Sequence, residues 1–209
     1  AGKTSALNVM TGALPKRGGR IVIDGIDILR PEPAAVARSG VGRKFQTPSV
    51  FPKLTIDENL AIALWAGRWR GLDLLRPRLF GWTTPLLDEM RRRFGFLRSG
   101  GKQAAALSHG ERQILELTMA LVTEPRLLLL DEPCAGLSHE ETAAVIDAIQ
   151  WARQYLRLRI IIIEHDMELV RRLADRVVVL HQGRFLADGT VEEVQGNPDV
   201  RAVYVGGSR

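Results

Sequence analysis

Short uninterrupted apolar runs alternate along this chain with stretches whose apolar residues recur at helical spacing. Leu127–Leu130 is a run with no polar interruption, preceded by Pro125 and closed by Asp131. A run of that length reads as a strand buried on both faces, which points to a parallel sheet inside an α/β domain. Ile160–Ile163 is the next buried strand, ending in Glu164-His165-Asp166, and Val177–Leu180 follows. His181-Gln182-Gly183 then turns the chain into a return strand, Arg184–Asp188, closed by Gly189. Helices fill the intervals. Glu140–Leu156 carries Ala143, Ala144, Ile146, Ile149 and Trp151 as apolar positions, and Met167–Ala174 is a second. Strands and helices in this alternation make a parallel sheet with right-handed crossovers.

Upstream, a helix after Lys3 should end near Gly12. Asp24-Gly25 joins Arg20–Ile23 to Ile26–Ile28 as a β-hairpin, and Ala34–Arg38 supplies one or two helical turns. The strand from Val41 must stop by Pro48, because proline cannot extend the ladder. Residues 55–107 change character. Thr55–Asn59 caps a helix through Ala66, and Pro85–Phe94 forms another with Leu86, Leu87, Met90 and Phe94 at helical spacing. No strand pattern interrupts them. The division expected is a core of residues 1–54 and 120–209, with an inserted α-helical subdomain over 55–119.

Composition narrows the classes. At 209 residues the chain can bury a proper core, and its 45% hydrophobic and 25% charged content is ordinary for a globular domain. One cysteine, Cys134, excludes an intrachain disulfide framework and fits a reducing compartment. No apolar run approaches the roughly 18 residues that a membrane span needs. Much of the net charge of +5 comes from arginines scattered between residues 68 and 98, which read as solvated helix faces rather than a nucleic-acid footprint. Trp65, Trp69, Phe80 and Trp82 lie among them. Such aromatics are core residues or a protein-docking surface more often than base-stacking platforms, by about five to one.

Candidate chemistry gathers around Leu107–Ser138. Asp131 and Glu132 stand at the carboxyl end of a buried strand, where ligands of open α/β sheets sit. A polar strand-to-turn cap ahead of Pro133 fits that pair about as well. Ser108 with Glu111 makes a capping box, and the same helix start, with Gly110 in it, offers free amides and a positive dipole end to an anion. The decisive addition is Gly2-Lys3-Thr4-Ser5, the tail of the loop whose amides cradle nucleotide phosphates, whose lysine reaches the β and γ groups and whose hydroxyl ligates magnesium. Alone it is a weak signal, as are Gln46 at a strand end and His165 after another.

Taken in order, Gly2-Lys3-Thr4-Ser5, Gln46, Leu107-Ser108-His109-Gly110-Glu111, Asp131-Glu132 and His165 closely resemble the ATP-binding subunits of ABC transporters. The resemblance spans the whole chain. It implies a P-loop NTPase fold, ATP and Mg2+ as ligands, and ATP hydrolysis coupled to import. Lys3 would hold the β and γ phosphates, Thr4 and Asp131 would organise the metal, and Gln46, a further metal ligand, would sit in the loop that senses both metal and the transmembrane partner. Glu132 would polarise the attacking water, and His165 would contact the γ-phosphate. Ser108 and Gly110 would bind the γ-phosphate held by a second ATPase subunit in a head-to-tail dimer. The partners implied are transmembrane permease subunits and, indirectly, a periplasmic solute-binding protein, at the cytoplasmic face of the membrane and without nucleic acid. Phosphoryl transfer fits such a set, since it needs charge neutralisation and in-line positioning more than covalent chemistry.

Details favour the branched-chain amino acid and amide importer group. GRKFQTP at 42–48, LSHG at 107–110, EHDM at 164–167, VLHQG at 179–183 and the Asn197-Pro198 to Gly206 tail look most like a urea importer's ATPase subunit. Thr47-Pro48 and His109 place urea first, with leucine, isoleucine and valine as the alternative. A DNA-acting ATPase of the same class would need a coiled-coil or zinc-bearing insertion, and residues 55–107 have neither heptads nor paired cysteines. Intact Glu132 and His165 argue against a non-hydrolysing binding module. Three departures stand: LSHGE in place of LSGGQ, Ser138 where many members carry Asp, and no upstream aromatic to stack on adenine. The chain opens inside the phosphate loop, so the reading expects its natural start further upstream. It also expects the 209-residue chain to bind magnesium-ATP far more weakly than one carrying that segment. Isothermal titration of both checks this, and matching affinities would show that the second arm of the loop suffices.

Overall fold

The four leucines do form a strand, with Leu127 half-buried and the other three dry. In the computed structural model β4 is Leu127–Asp131, and Leu128, Leu129 and Leu130 are fully buried. The structure describes residues 2–23, 25–27, 32–44, 50–67 and 83–206. Gln46, Thr47 and Pro48, and the aromatics Trp69, Phe80 and Trp82, lie outside them. The chain divides into two compact units, Ala1–Val36 with Ile162–Arg209, and Ala37–Ile161.

In the second unit β3 (Val41–Lys44) runs parallel to β4, in register from Val41 opposite Leu127 to Lys44 opposite Leu130. The sheet order is β3-β4-β5, with β5 (Arg159–Ile163) the strand at which the chain leaves this unit. Here burial departs from expectation. Ile161 is 39% exposed, because among the described residues β5 ends the sheet order while β4 lies inside it. A strand at the edge has one sheet neighbour where a central one has two.

Among the described residues of this unit are the α-helices α3 (Ile56–Gly67), α4 (Pro85–Arg93), α5 (His109–Leu121) and α6 (His139–Leu156). Their starts follow local chemistry. Thr55 and Glu58 bond reciprocally ahead of α3, Thr84 accepts from the Leu87 amide with Pro85 in the first turn of α4, and α5 and α6 open on capping boxes. Along α6 the buried face is Val145, Ile146, Ala148, Ile149 and Ala152. Trp151 is instead half-buried, stacked on Tyr155 with the Arg93 guanidinium over its ring. The fully buried Asn59 returns its amide to the loop before α3, accepting from Phe51 N at 2.8 Å and donating to Thr55 O at 2.9 Å.

In the first unit α1 is Lys3–Met10, β1 (Val22–Ile23) pairs antiparallel with β2 (Ile26–Asp27), and α7 spans Met167–Leu173. β6 (Val177–His181) forms an antiparallel hairpin with β7 (Arg184–Gly189) rather than a further parallel strand among those described. Gln182 and Gly183 have φ of 48° and 77°, the two consecutive positive values that a tight hairpin turn needs. Two helices with no counterpart in the sequence pattern follow, α8 (Val191–Gly196) and α9 (Pro198–Gly206). With the hairpin they bury Ala187, Val194 and Val200. The stretch α2 (Pro33–Arg38) is where the chain passes from the first unit to the second.

One polar pair sits in the core of the second unit. Lys44 at the end of β3 meets Glu116 of α5 at 3.4 Å, each side chain only 4% exposed. Desolvation offsets much of a buried pair's attraction, but removing one partner strands the other charge. Lys44→Met should therefore lower unfolding free energy by roughly 3–5 kcal/mol, whereas adding Glu116→Leu should restore most of it. Denaturant midpoints of the two variants measure the difference. Equal losses in the single and double variants would show that packing, not charge, is at stake.

Candidate functional site

In the first unit the site residues sit at the start of α1 and the end of β5. Gly2 caps the helix at φ 103°, and a Cβ there would lie 3.1 Å from Gly183 Cα, so both conformation and space require glycine. The first helical bond of α1 runs from Ala6 N to Gly2 O, which leaves the amides of Lys3, Thr4 and Ser5 outside the helix ladder. The Thr4 and Ser5 side chains are exposed beside them. The Lys3 ammonium donates to Glu164 O at 3.4 Å and so lies against the residue before His165. His165 is exposed, and Asp166 next to it caps α7 by accepting from Glu168 N at 2.8 Å. A half-buried lysine and an exposed histidine at one strand end, beside amides the helix does not use, form an anion-receptive surface.

In the second unit Asp131 and Glu132 are adjacent but differently placed. Asp131 is 2% exposed, and among the described residues its Oδ2 is buried without a hydrogen-bond partner. A buried carboxylate oxygen with no donor suits a hard cation. Burial pulls the Arg43 guanidinium on β3 below its ordinary range, and the charge of Asp131 acts in the opposite sense. Glu132 is half-buried and left-handed, at φ 47°. A non-glycine residue in that region stores about 1–3 kcal/mol, and such outliers cluster at functional sites. Among the described residues no three His, Cys, Asp or Glu side chains gather as a metal cluster, so Asp131 would hold a cation together with other oxygen donors.

Ser108 and Gly110 begin α5 as expected. Ser108 Oγ accepts from Glu111 N at 3.1 Å, and Glu111 Oε2 accepts from Ser108 N at 2.9 Å. A further residue enters that sequence reasoning missed. Glu141 Oε1 accepts from the Ser108 hydroxyl at 3.0 Å and from Gly110 N at 2.8 Å. Its Oε2 accepts from Ser138 N at 3.1 Å, closing the capping box of α6. The Gly110 amide foremost, then the Ser138 amide and the Ser108 hydroxyl, hold the Glu141 carboxyl down at about 2. A Cβ on Gly110 would meet Glu141 Cγ at 2.6 Å, so the glycine is what lets the carboxylate approach. The sequence signal was the second Ser-x-x-Glu, Ser138 to Glu141.

These features agree with what the chain resembles as a whole. Residues 1–135 match the model of the ABC transporter family, and the chain belongs to that family. It is thus an ATP-binding, ATP-hydrolysing transporter subunit with the α/β fold of its class, working with transmembrane permease components. Residues 186–209 match a second model, described as branched-chain amino acid ATP-binding cassette transporter. The high-affinity branched-chain amino acid transport ATP-binding protein LivG of Salmonella typhimurium is 38% identical over 213 residues, covering 99% of this chain and 83% of the relative. BraF of Pseudomonas aeruginosa, of the same description, is 35% identical over 216 residues, with coverage of 99% and 83%. Among solved structures, an ATP-binding cassette of an ABC transporter in its ADP conformation superposes with a TM-score of 0.79 at 26% identity, over 98% of this chain and 84% of that one. No helix among the described residues is long and apolar enough to cross a membrane.

The depressed Glu141 carboxyl has a measurable consequence. A group ionising at lower pH in the folded chain contributes stability that is fully present above the ordinary glutamate range, about 4.3, and is lost as pH falls towards 2. Glu141→Gln should therefore flatten the acid limb of stability over that window and leave its slope near neutrality unchanged. Thermal midpoints across pH check this. An acid limb as steep as in the parent would place the acid-labile carboxylate elsewhere.

Proposed function

We propose that this chain powers the import of branched-chain amino acids. The observation that carries the solute class is likeness to LivG and BraF over 99% of the chain, supported by the match of residues 186–209. Urea, which Thr47-Pro48 and His109 place first in the sequence reading, is the second reading and lacks support from these relatives. The periplasmic solute-binding protein would deliver the solute, and the ATPase would sit peripherally on the cytoplasmic face. Ile62 and Trp65, exposed three residues apart on α3, support a protein-docking role for the helical subdomain at 55–119. The remaining core, 1–54 and 120–209, would hold nucleotide.

Lys3 would neutralise the β and γ phosphates, with the Gly2–Ser5 backbone and hydroxyls around them. Mg2+ held by Thr4, Gln46 and Asp131 would supply further charge neutralisation, and the unpartnered Asp131 oxygen supports that ligand. Glu132 would accept the proton of the attacking water from its strained position, and Gln46 would couple the metal to the transmembrane partner. His165 would hydrogen-bond the γ-phosphate. Ser108 and Gly110 would donate to the nucleotide of a second ATPase subunit in a head-to-tail dimer.

Liposomes carrying the full transporter and its binding protein test the solute. ATPase activity should rise with leucine, isoleucine or valine and not with urea; stimulation by urea alone would reverse the assignment. In the same system Glu132→Gln should slow hydrolysis by at least about a hundredfold while ATP binding persists, the scale expected for losing a positioned base. The variant should run as an ATP-dependent dimer in size-exclusion chromatography. Near-parental turnover would remove Glu132 from the base role.

A further inference from the structure

The Ser108 hydroxyl and Gly110 amide are not idle donors. Both are taken by one carboxylate oxygen, Glu141 Oε1, at 3.0 and 2.8 Å. Glu141 comes from the next helix, 31 residues beyond Gly110, so the contact is tertiary. It brings an anion to the N-terminus of α5, where the helix dipole and the free amides favour one. Glycine at 110 leaves the room it needs. The other oxygen stays on Ser138 N, so the side chain pivots from the start of its own helix.

We propose that Glu141 is a displaceable internal stand-in for phosphate: it occupies the Ser108 and Gly110 donors until nucleotide claims them, and thereby sets the ATP concentration at which two subunits close. The inference rests on the reading that these two donors receive the γ-phosphate of the opposing nucleotide. A phosphate oxygen and a carboxylate oxygen cannot share one hydroxyl proton and one amide proton without weakening both bonds. Two anions at that distance also repel. Closing therefore requires Glu141 to swing off Ser108 and Gly110, and the carboxylate returns when the phosphate leaves. Glu141 positions the donors in the resting state and competes for them in the active one. Apparent affinity falls by the fraction of time the donors are occupied, so the effect appears in KM for ATP.

The test compares Glu141→Gln, Glu141→Asp and Ser108→Ala in the full transporter in liposomes, with ATP as the titrated ligand. Glu141→Gln keeps the shape but removes the charge, and KM for ATP should fall about fivefold, with kcat changing less. Glu141→Asp keeps the charge one methylene short of the donors, so KM should fall here too. A KM that is unchanged or higher in both Glu141 variants, whatever their melting temperatures, overturns the proposal and leaves Glu141 a brace between two helices. Ser108→Ala tests the underlying reading by itself. It should raise KM for ATP, and an unmoved KM would withdraw the donor assignment and this proposal with it. Should Glu141→Gln fail to fold, Glu141→Asp decides on the same criterion.

Discussion

Burial of β4 on both faces is the constraint from which the second unit follows. Leu128, Leu129 and Leu130 expose nothing, so helices must cover what the neighbouring strands do not. The strand can leave this dry environment only where a polar group is tolerated, and it does so at Asp131. The next residue turns through a left-handed conformation at Glu132. Hydrophobic packing thereby fixes two carboxylates at the carboxyl end of a strand. One is buried with an oxygen left over, and the other is half-exposed and strained.

The same unit holds an ion pair where apolar contact would have been simpler. Lys44 ends β3 opposite Leu130, and its charge meets Glu116 on α5, the helix that opens with Ser108 and Gly110. A buried pair is a poor source of stability but a strict one for register, since sliding the helix by one residue would strand both charges. β3 and α5 are in this way held in one alignment.

What the sequence discloses is what one-dimensional chemistry can encode. The capping box at Ser108 and Glu111, the proline that opens α4, and the uninterrupted run of β4 all lie within a turn of the feature they specify, and their elements begin within a residue or two of expectation. Burial of β5 is not legible in the same way, because four isoleucines read alike inside a sheet and at the end of the order among the described strands. Helix α8 was passed over although Thr190 and Glu193 form a capping box, because only six residues follow it and periodicity has no room to emerge. Lys44 with Glu116, and Glu141 with Ser108 and Gly110, join residues far apart in sequence; Ser138-x-x-Glu141 marks Glu141 as a cap, but no local pattern marks these pairings. The solute is a different matter. An ATPase subunit does not touch what its transporter carries, so Thr47-Pro48 and His109 had no chemistry by which to tell urea from leucine.

Glu141 shows why a structural and a functional account of one residue need not compete. As the third residue of α6 it accepts from Ser138 N, a role that any helix start of this kind provides. Its second oxygen extends that role across to α5, which ties two helix starts together through a single charge. The tie favours the folded chain because Gly110 is buried, and its amide is satisfied by the Glu141 carboxylate rather than by water. It is also reversible, since it lies at an accessible helix end and not in the core. A carboxylate satisfied by two helix starts holds the resting arrangement, and an incoming anion needs only to replace half of its bonds. Stability and responsiveness here come from the same hydrogen bonds, divided between the two oxygens of one side chain.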